Sequence, residues 1–267
     1  VPFTPVTGAR LLTHGDLDDQ SREGLRRALA TAAMKVADEA ELSSIHYNFL
    51  LPQEVETFEN LEVPVRSGVQ YHWQNPEGED RYEEFDDYLA RFRSKQRANI
   101  RRERRKLGED EVLTRVLTGD ELTHDLMDRV FEYYRSTVRK FYWGHQYLNR
   151  EFFHMVLDRL RDRLHIVVAE RRGEEYAGAF NLVKGDRLYG RYWGCVKEVQ
   201  FTHFEVCFYK SIEWCIENDI SVFEPGAGGE HKFHRGFEAT KTFSAHYIRE
   251  PRLERAIADF LDYGTGT

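Results

Sequence analysis

The chain is poor in the residue types that mark several protein classes. It has 3 cysteines among 267 residues, at Cys195, Cys207 and Cys215, and their spacing matches no metal-binding pattern. We therefore expect neither a disulfide framework nor a cysteine-bound zinc ion. Its apolar runs fall far short of the roughly 20 residues that span a bilayer, so we do not expect an integral membrane protein.

The start of the chain lacks a visible signal peptide, and we expect a reduced, cytoplasmic protein. The first residue is Val1 rather than methionine. This start suggests an expression product or a processed piece, and it leaves open whether an upstream segment is missing.

Signatures of covalent and zinc catalysis are also missing. The sequence has no Gly-x-Ser-x-Gly motif and no cysteine in a nucleophile context, so a covalent acyl-enzyme is not expected. His231 and His234 depart from the His-Glu-x-x-His zinc pattern because Glu230 precedes the first histidine. We expect no metal site.

Positive charge is concentrated in one segment, although the formal net charge is −8. Residues 91–106 hold nine basic residues against Glu103 alone, a formal charge of +8, and an acidic run lies just before them at 77–87. This segregation permits two interpretations. In one, the segment binds a polyanion through Arg97, Arg101, Arg104 and Arg105. In the other, the basic helix pairs with the acidic run and with solvent.

A glycine-rich stretch at 221–248 organises the second half of the chain. An apolar run ends at Pro225, and Gly226, Gly228 and Gly229 follow within four residues. A dense polar set occupies 230–235, and 242–248 alternates like a strand. The pattern predicts a strand, a glycine loop, a polar turn of helix and a second strand. Ligands bind at such strand ends in open α/β sheets.

The polar set after the glycines has the residue types that acyl transfer to an amine requires. Glu230 or His231 can serve as the general base that deprotonates the amine. The cationic side chains Lys232, His234 and Arg235 are candidates to bind a phosphate or carboxylate. The alternative is a structural cluster of caps and salt bridges that holds the polar turn against the sheet.

A second candidate site lies on a predicted strand at 187–196. Strict alternation predicts that Tyr189, Arg191 and Trp193 share one face and form an anion or acyl-donor pocket. The alternative is a core strand in which Arg191 pairs with Glu224, and we keep Glu224 among the candidate binding residues. Trp143 belongs to an aromatic loop at 141–145, which forms either a lid over the substrate or a cover for the core.

Hydrophobic periodicity predicts an α/β (α+β) protein with a mixed, largely antiparallel sheet flanked by helices. It includes one long helix at 85–107, three successive strands between 165 and 196, and an amphipathic helix at 204–218. The order helix, strand, polar crossover, strand occurs at 17–74 and again at 203–248. We interpret residues 1–108 as a truncated first copy of a fold that 109–267 contains in full.

Four segments carry a resemblance to a known family. They are YHWQN at 71–75, NIRRERR at 99–105, YGRYWGC at 189–195 and the stretch 225–246. Together with the element order, they resemble GNAT-type acyltransferases and, among these, the Fem-like family of peptidoglycan biosynthesis or recognition proteins. The resemblance implies a GNAT-like domain in 109–267, with a partial GNAT-like copy before it. It also implies transfer of an acyl or aminoacyl group to an amine.

The resemblance names acyl-CoA or aminoacyl-tRNA as possible donors, with tRNA as a possible partner, but it does not firmly imply any cofactor. GNAT enzymes that use acyl-CoA hold its pyrophosphate with a glycine-containing loop after the fourth strand. The corresponding segment here, KEVQFTH at 197–203, has no glycine, which counts against acyl-CoA. The alternative function is a non-catalytic module that recognises a cell-wall precursor or another anionic ligand.

Overall fold

The computed structural model describes residues 5–140, 145–226 and 228–264, apart from the side chains of Glu230 and 258–264. The helices and strands, in chain order, are α1 (Asp19–Glu39), β1 (Ser44–Leu50), α2 (Pro52–Glu59), β2 (Val65–Gln74), α3 (Phe85–Ala90), α4 (Ser94–Glu109), β3 (Val112–Leu117), α5 (His124–Val138), α6 (Arg150–Leu160), β4 (Leu164–Arg171), β5 (Glu174–Lys184), β6 (Arg187–Cys195), α7 (Thr202–Phe204), α8 (Lys210–Glu217), β7 (Val222–Glu224), β8 (Glu238–Ile248) and α9 (Pro251–Gly264). None of these helices is long and apolar enough to cross a bilayer.

The chain divides into two compact units, one of Val1–Gln70 with Thr240–Thr267 and one of Tyr71–Ala239. In the first unit the strand order is β1-β8-β2, and β1 pairs antiparallel with β8. Tyr47, Leu50 and Phe58 are fully buried in its core. The interpretation of 1–108 as a truncated copy stays a prediction.

The second unit contains the strand order β2-β7-β6-β5-β4-β3. All neighbours pair antiparallel except β6 and β7, which are parallel. Strand β4 is buried on both faces: Ile166 and Val168 pack in the cluster of α5 and α6, while Val167 and Ala169 pack with residues of α4. The fold class predicted from the sequence, a mixed and largely antiparallel sheet flanked by helices, is confirmed.

Two predicted helices differ from the structure. The single helix expected at 85–107 is interrupted between α3 and α4, where Phe92 lies edge-on against Tyr88 with ring centroids 5.0 Å apart. Burial of Phe92 within a basic sequence favours this bend over a continuous helix. The helix expected at 204–218 contains a π-helical turn at Glu205–Tyr209 between α7 and α8. Such turns occur frequently at functional sites.

Candidate functional site

A β-bulge in β6 lies beside a cavity of the second unit. Phe180 of β5 lies opposite Tyr192, whereas Asn181 lies opposite Gly190, so Arg191 is an extra residue without a partner in the register. The bulge reverses the alternation of side chains, which places Tyr189 on the opposite face from Trp193. The prediction that Tyr189 shares a face with Trp193 is therefore wrong, because strict alternation does not allow for an inserted residue.

The parallel pairing of β6 and β7 ends where the bulge begins. Its last pair is Tyr189 with Glu224, and Pro225, which has no N–H to donate, follows directly. At Gly190 a Cβ atom would lie 3.0 Å from the Cα atom of Pro225, so the close approach of β6 to the segment after β7 favours glycine. A cavity of about 450 Å³ lies at this point. Its lining includes Asn181, Arg191, Trp193, His203, His231 and Lys232.

The polar turn expected at 230–235 is a 3-10 helix, Glu230–Arg235. It follows Gly229, whose φ of 91° favours glycine, and a Cβ atom there would lie 2.6 Å from His231 Cε1. His231 and Lys232 both line the cavity. The side chain of Glu230, the other predicted base, lies outside the described residues, and so does Trp143.

Lys232 is a buried cation. Its side chain is 4% exposed, and its Nζ atom donates a hydrogen bond to the carbonyl oxygen of Gly226 (2.7 Å). Burial lowers the pKa of Lys232 to about 8. At neutral pH this ammonium is therefore mostly protonated and can also release a proton under mildly alkaline conditions.

Two histidines of the cavity are held as neutral imidazoles near pH 7. Burial, together with the positive charge of groups around it, lowers the pKa of His203 to about 4. Burial, followed by the charges of Arg235 and Lys232, also lowers the pKa of His231. The His203 ring lies 4.4 Å from the Trp193 ring and 5.9 Å from the His231 ring. A neutral imidazole can accept a proton, which is the property that a general base needs.

Arg235 is built into the protein interior and does not line this cavity. Its Nε atom donates to Tyr209 Oη (2.8 Å), and its Nη2 atom donates to Glu103 Oε1 (3.1 Å). Its guanidinium carbon lies 3.4 Å from the centre of the Phe204 ring. For Arg235 the geometry therefore supports the structural alternative. With His234, Arg235 lines a second concavity of about 500 Å³ beside α4.

Glu224 pairs with a different arginine from the one expected. Its Oε1 atom accepts a hydrogen bond from Arg187 Nη1 (3.0 Å), and its Oε2 atom lies 3.6 Å from His72 Nε2. The alternative in which Arg191 pairs with Glu224 is therefore wrong, since the arginine that binds Glu224 is Arg187. The Arg191 guanidinium instead lies 5.3 Å from the centre of the Tyr192 ring.

The four arginines predicted to bind a polyanion lie in different environments. Arg104 is enclosed by Glu205 (3.0 Å), Glu213 (3.4 Å) and the ring of Phe85. Arg101 pairs with Asp86 of the acidic run (3.0 Å), and Arg105 pairs with Glu109 (3.6 Å). Arg97 makes no ion pair with any residue that the structure describes. The exposed members of the set are thus Arg101 and Arg105, whereas Arg104 has a structural environment.

Asn181 was not predicted to be a site residue, and His203 entered only as part of the glycine-free segment 197–203. Asn181 has a detectable signal, since it is the one amide in the apolar run AGAFNLV at 177–183. His203 gives no comparable signal because its role depends on the placement of the chain after β6.

Comparisons with known proteins place the chain in a wider group. The profile of a family named FemAB-like and described as peptidoglycan biosynthesis/recognition matches residues 1–265. The solved structures of similar fold include L-PGS from Bacillus licheniformis, with 10% identity, 88% of this chain and 78% of that chain covered, and a TM-score of 0.59. They also include FemX, with 12% identity, 96% and 84% covered, and a TM-score of 0.58. At these identities the likeness shows the fold. No curated protein sequence matches the chain.

Proposed function

This chain belongs to the FemAB-like family of peptidoglycan biosynthesis or recognition proteins, and we propose that it transfers an activated acyl or aminoacyl group to an amine. One observation carries the proposal. His231, Lys232 and Arg191 come from two separate segments of the chain and line a single open cavity. A candidate base, a candidate oxyanion donor and an anion-binding group therefore lie around one space.

The reaction that this arrangement supports is direct attack. The acceptor amine attacks the carbonyl carbon of the donor ester or thioester and forms a new C–N bond, and the bond to the leaving oxygen or sulfur breaks. His231 accepts the proton that the amine loses, and this proton passes to the leaving group. The Lys232 ammonium stabilises the negative charge on the carbonyl oxygen in the tetrahedral intermediate.

Two features favour aminoacyl-tRNA over acyl-CoA as the donor. The segment at 197–203, which precedes α7, has no glycine with which to hold a pyrophosphate. Fem-type aminoacyltransferases, which the sequence resembles, lack that glycine loop too. The acceptor in this proposal is an amine on a peptidoglycan precursor.

The second candidate function is recognition of an anionic ligand without catalysis. It is favoured by the charge of the cavity, because no carboxylate is among the described side chains that line it, while Arg191 and Lys232 are. In this case His231 and Lys232 bind the ligand and transfer nothing.

Mass spectrometry of reaction mixtures separates the two functions. The protein is incubated with a peptidoglycan-precursor pentapeptide and, in parallel, with charged tRNA or with acetyl-CoA. The transferase proposal predicts a new amide on the pentapeptide that His231→Ala and Lys232→Met abolish. Binding of the pentapeptide with no amide from either donor would favour the recognition module.

A further inference from the structure

Asn181 and His165 form a polar pair in the interior of the second unit's sheet. They lie opposite each other on β5 and β4, and their side chains are 3% and 0% exposed. Asn181 Nδ2 lies 3.0 Å from His165 Nδ1, and the His165 ring lies 4.4 Å from the Trp214 ring. A polar pair in this position costs stability relative to two apolar residues of similar shape.

The chemistry of the pair fixes which atom donates. A carboxamide nitrogen can only donate a hydrogen bond, so His165 Nδ1 is the acceptor and the ring proton lies on Nε2. Burial lowers the pKa of His165 to about 3, which keeps the ring neutral. His165 Nε2 is buried without a hydrogen-bond partner among the described residues. The fold therefore tolerates an unsatisfied nitrogen in order to keep this histidine beside Asn181.

The other end of the Asn181 carboxamide is available to the cavity. Asn181 lines the cavity and lies opposite Gly190, where the partner strand has no side chain. With Nδ2 engaged by His165, Oδ1 makes no hydrogen bond to any group that the structure describes. The cations Arg191 and Lys232 can only donate hydrogen bonds. Asn181 thus provides a neutral acceptor in a cavity that otherwise carries positive charge.

We propose that Asn181 contacts the acceptor amine, with Oδ1 accepting a hydrogen bond from its N–H, and that His165 is the positioning residue that fixes this orientation. The inference rests on the proposed function, because it assigns the place of the reacting amine. Holding one N–H on Asn181 directs the amine's lone pair, while His231 receives the other proton.

The first test measures amine binding without any donor. Alanine amide, which has a free primary amine, is titrated into the protein, and N-acetylalanine amide serves as the matched compound without that amine. We expect chemical-shift changes in the Asn181 side chain only with alanine amide. Asn181→Leu and His165→Phe should each weaken this binding by about tenfold. The control Asn99→Leu, on α4, should leave it unchanged.

Thermal stability separates positioning from a structural role. His165→Phe removes the unsatisfied Nε2 and keeps an aromatic ring, but it also leaves Asn181 Nδ2 without its acceptor, so we expect the melting temperature to change little while amine binding weakens. A lower melting temperature with unchanged amine binding would overturn the assignment.

The tautomer of His165 in the unaltered protein provides a measurement that needs no variant. Long-range ¹H–¹⁵N spectra should show the Nε2–H form from pH 5 to 9. The Nδ1–H form would contradict the proposal, because Asn181 would then present its N–H group to the cavity. Amine binding through Asn181 without any transfer would refute the transferase function and leave this inference standing. Transfer that Asn181→Leu leaves unchanged would refute this inference alone.

Discussion

His231 is the residue on which the proposed proton transfer depends. It extends from the 3-10 turn into the cavity, and burial and nearby cations keep its ring neutral near pH 7. The two histidines that follow Gly229 differ in position, since His231 lines the cavity whereas His234 lines the second concavity. The pair therefore offers a matched test of position within one turn.

Replacing His231 with alanine should lower turnover by about 10²–10⁴-fold, because a general base contributes that much. His234→Ala should leave turnover unchanged. The rate of the unaltered protein should rise with pH through a pKa below 6.5, since His231 must be deprotonated to accept a proton. The measurement is a pH–rate profile for the three proteins, with circular dichroism to verify folding. Equal turnover of the two variants would exclude His231 as the base.

Replacing Lys232 with methionine should abolish transfer and raise the melting temperature at pH 7. Burial lowers the pKa of Lys232 from 10.5 to about 8, so the unfolded chain binds more protons than the folded protein between those values. Protonated Lys232 therefore destabilises the fold below pH 8, and this cost diminishes between pH 8 and 10.5. In thermal melts from pH 6 to 10.5, the difference in melting temperature between the variant and the unaltered protein should shrink as the pH rises from 8 to 10.5. A difference in melting temperature that grows with pH would contradict the statement that burial lowers the pKa of Lys232.

At the scale of the elements, the cavity exists because β6 and β7 stop pairing after Glu224. Three features end the regular pairing there: the inserted Arg191, the missing side chain at Gly190 and the proline at 225. Each is a local departure from regular sheet geometry, and together they open space beside the 3-10 turn.

Gly190→Ala tests this close approach. The new Cβ atom would meet the backbone of Pro225 at 3.0 Å, which must shift, so we expect a loss of about 1–3 kcal/mol in the free energy of unfolding. Gly24→Ala in α1 is the matched control: a Cβ atom there meets nothing within 4 Å, and helix propensity predicts a gain of up to about 1 kcal/mol. Denaturant titrations measure both. If Gly190→Ala left the free energy of unfolding unchanged, β6 and the backbone of Pro225 would be able to move apart without cost.

Arg235→Gln tests how the 3-10 turn is fixed. Its ion pair with Glu103 is nearly 90% buried on both sides, and the Tyr88 hydroxyl donates to the Arg235 carbonyl oxygen (2.7 Å). Breaking a buried pair leaves Glu103 uncompensated, so we expect a loss of about 3–5 kcal/mol. Arg191→Gln should leave stability nearly unchanged, because Arg191 makes no ion pair within the described chain. Denaturant titration of both variants distinguishes them, and similar losses would refute the structural role of Arg235.

The sequence predicted the elements more accurately than their irregularities. The apolar residues of β4, β5 and β6 predicted these three strands, and β4 is buried on both faces. Gly190 inside the strand pattern is a signal of a bulge, but strict alternation was assumed, so Tyr189 was assigned to the wrong face. The glycines before 230 correctly predicted the turn at 230–235, whereas its role in ligand binding stays a prediction. The partners of Arg104, Arg235 and Glu224 lie far from them in the sequence, as Glu103 does from Arg235 at 132 positions, and local patterns do not report such pairs.

At the scale of the whole molecule, α4 presents a basic surface although the formal net charge of the chain is −8. The side chains of Arg101 and Arg105 are 56% and 69% exposed, whereas that of Arg104 is 28% exposed and bound to two carboxylates. An exposed arginine on this helix can exchange its surface partner for a phosphate at little cost.

Substitution of Arg97, Arg101 and Arg105 by glutamine should weaken binding of tRNA and reduce its salt dependence. Arg104→Gln should instead lower the melting temperature, because it leaves the buried Glu205 without its arginine partner. Filter binding across a range of salt concentrations, combined with thermal melts, tests both statements. Unchanged tRNA affinity in the triple variant, or no tRNA binding by the unaltered protein, would remove the polyanion hypothesis.

The central claim is direct attack by an amine on an activated acyl group inside the cavity of His231 and Lys232. The most direct measurement is rapid quenching of a single turnover, with charged tRNA and a precursor pentapeptide, followed by mass spectrometry of both peptide and protein. We predict that the amide appears on the pentapeptide at the rate at which the donor is consumed, with no mass added to the protein. An aminoacyl adduct on the protein that forms before the amide, or an amide formed equally fast by His231→Ala, would contradict the claim.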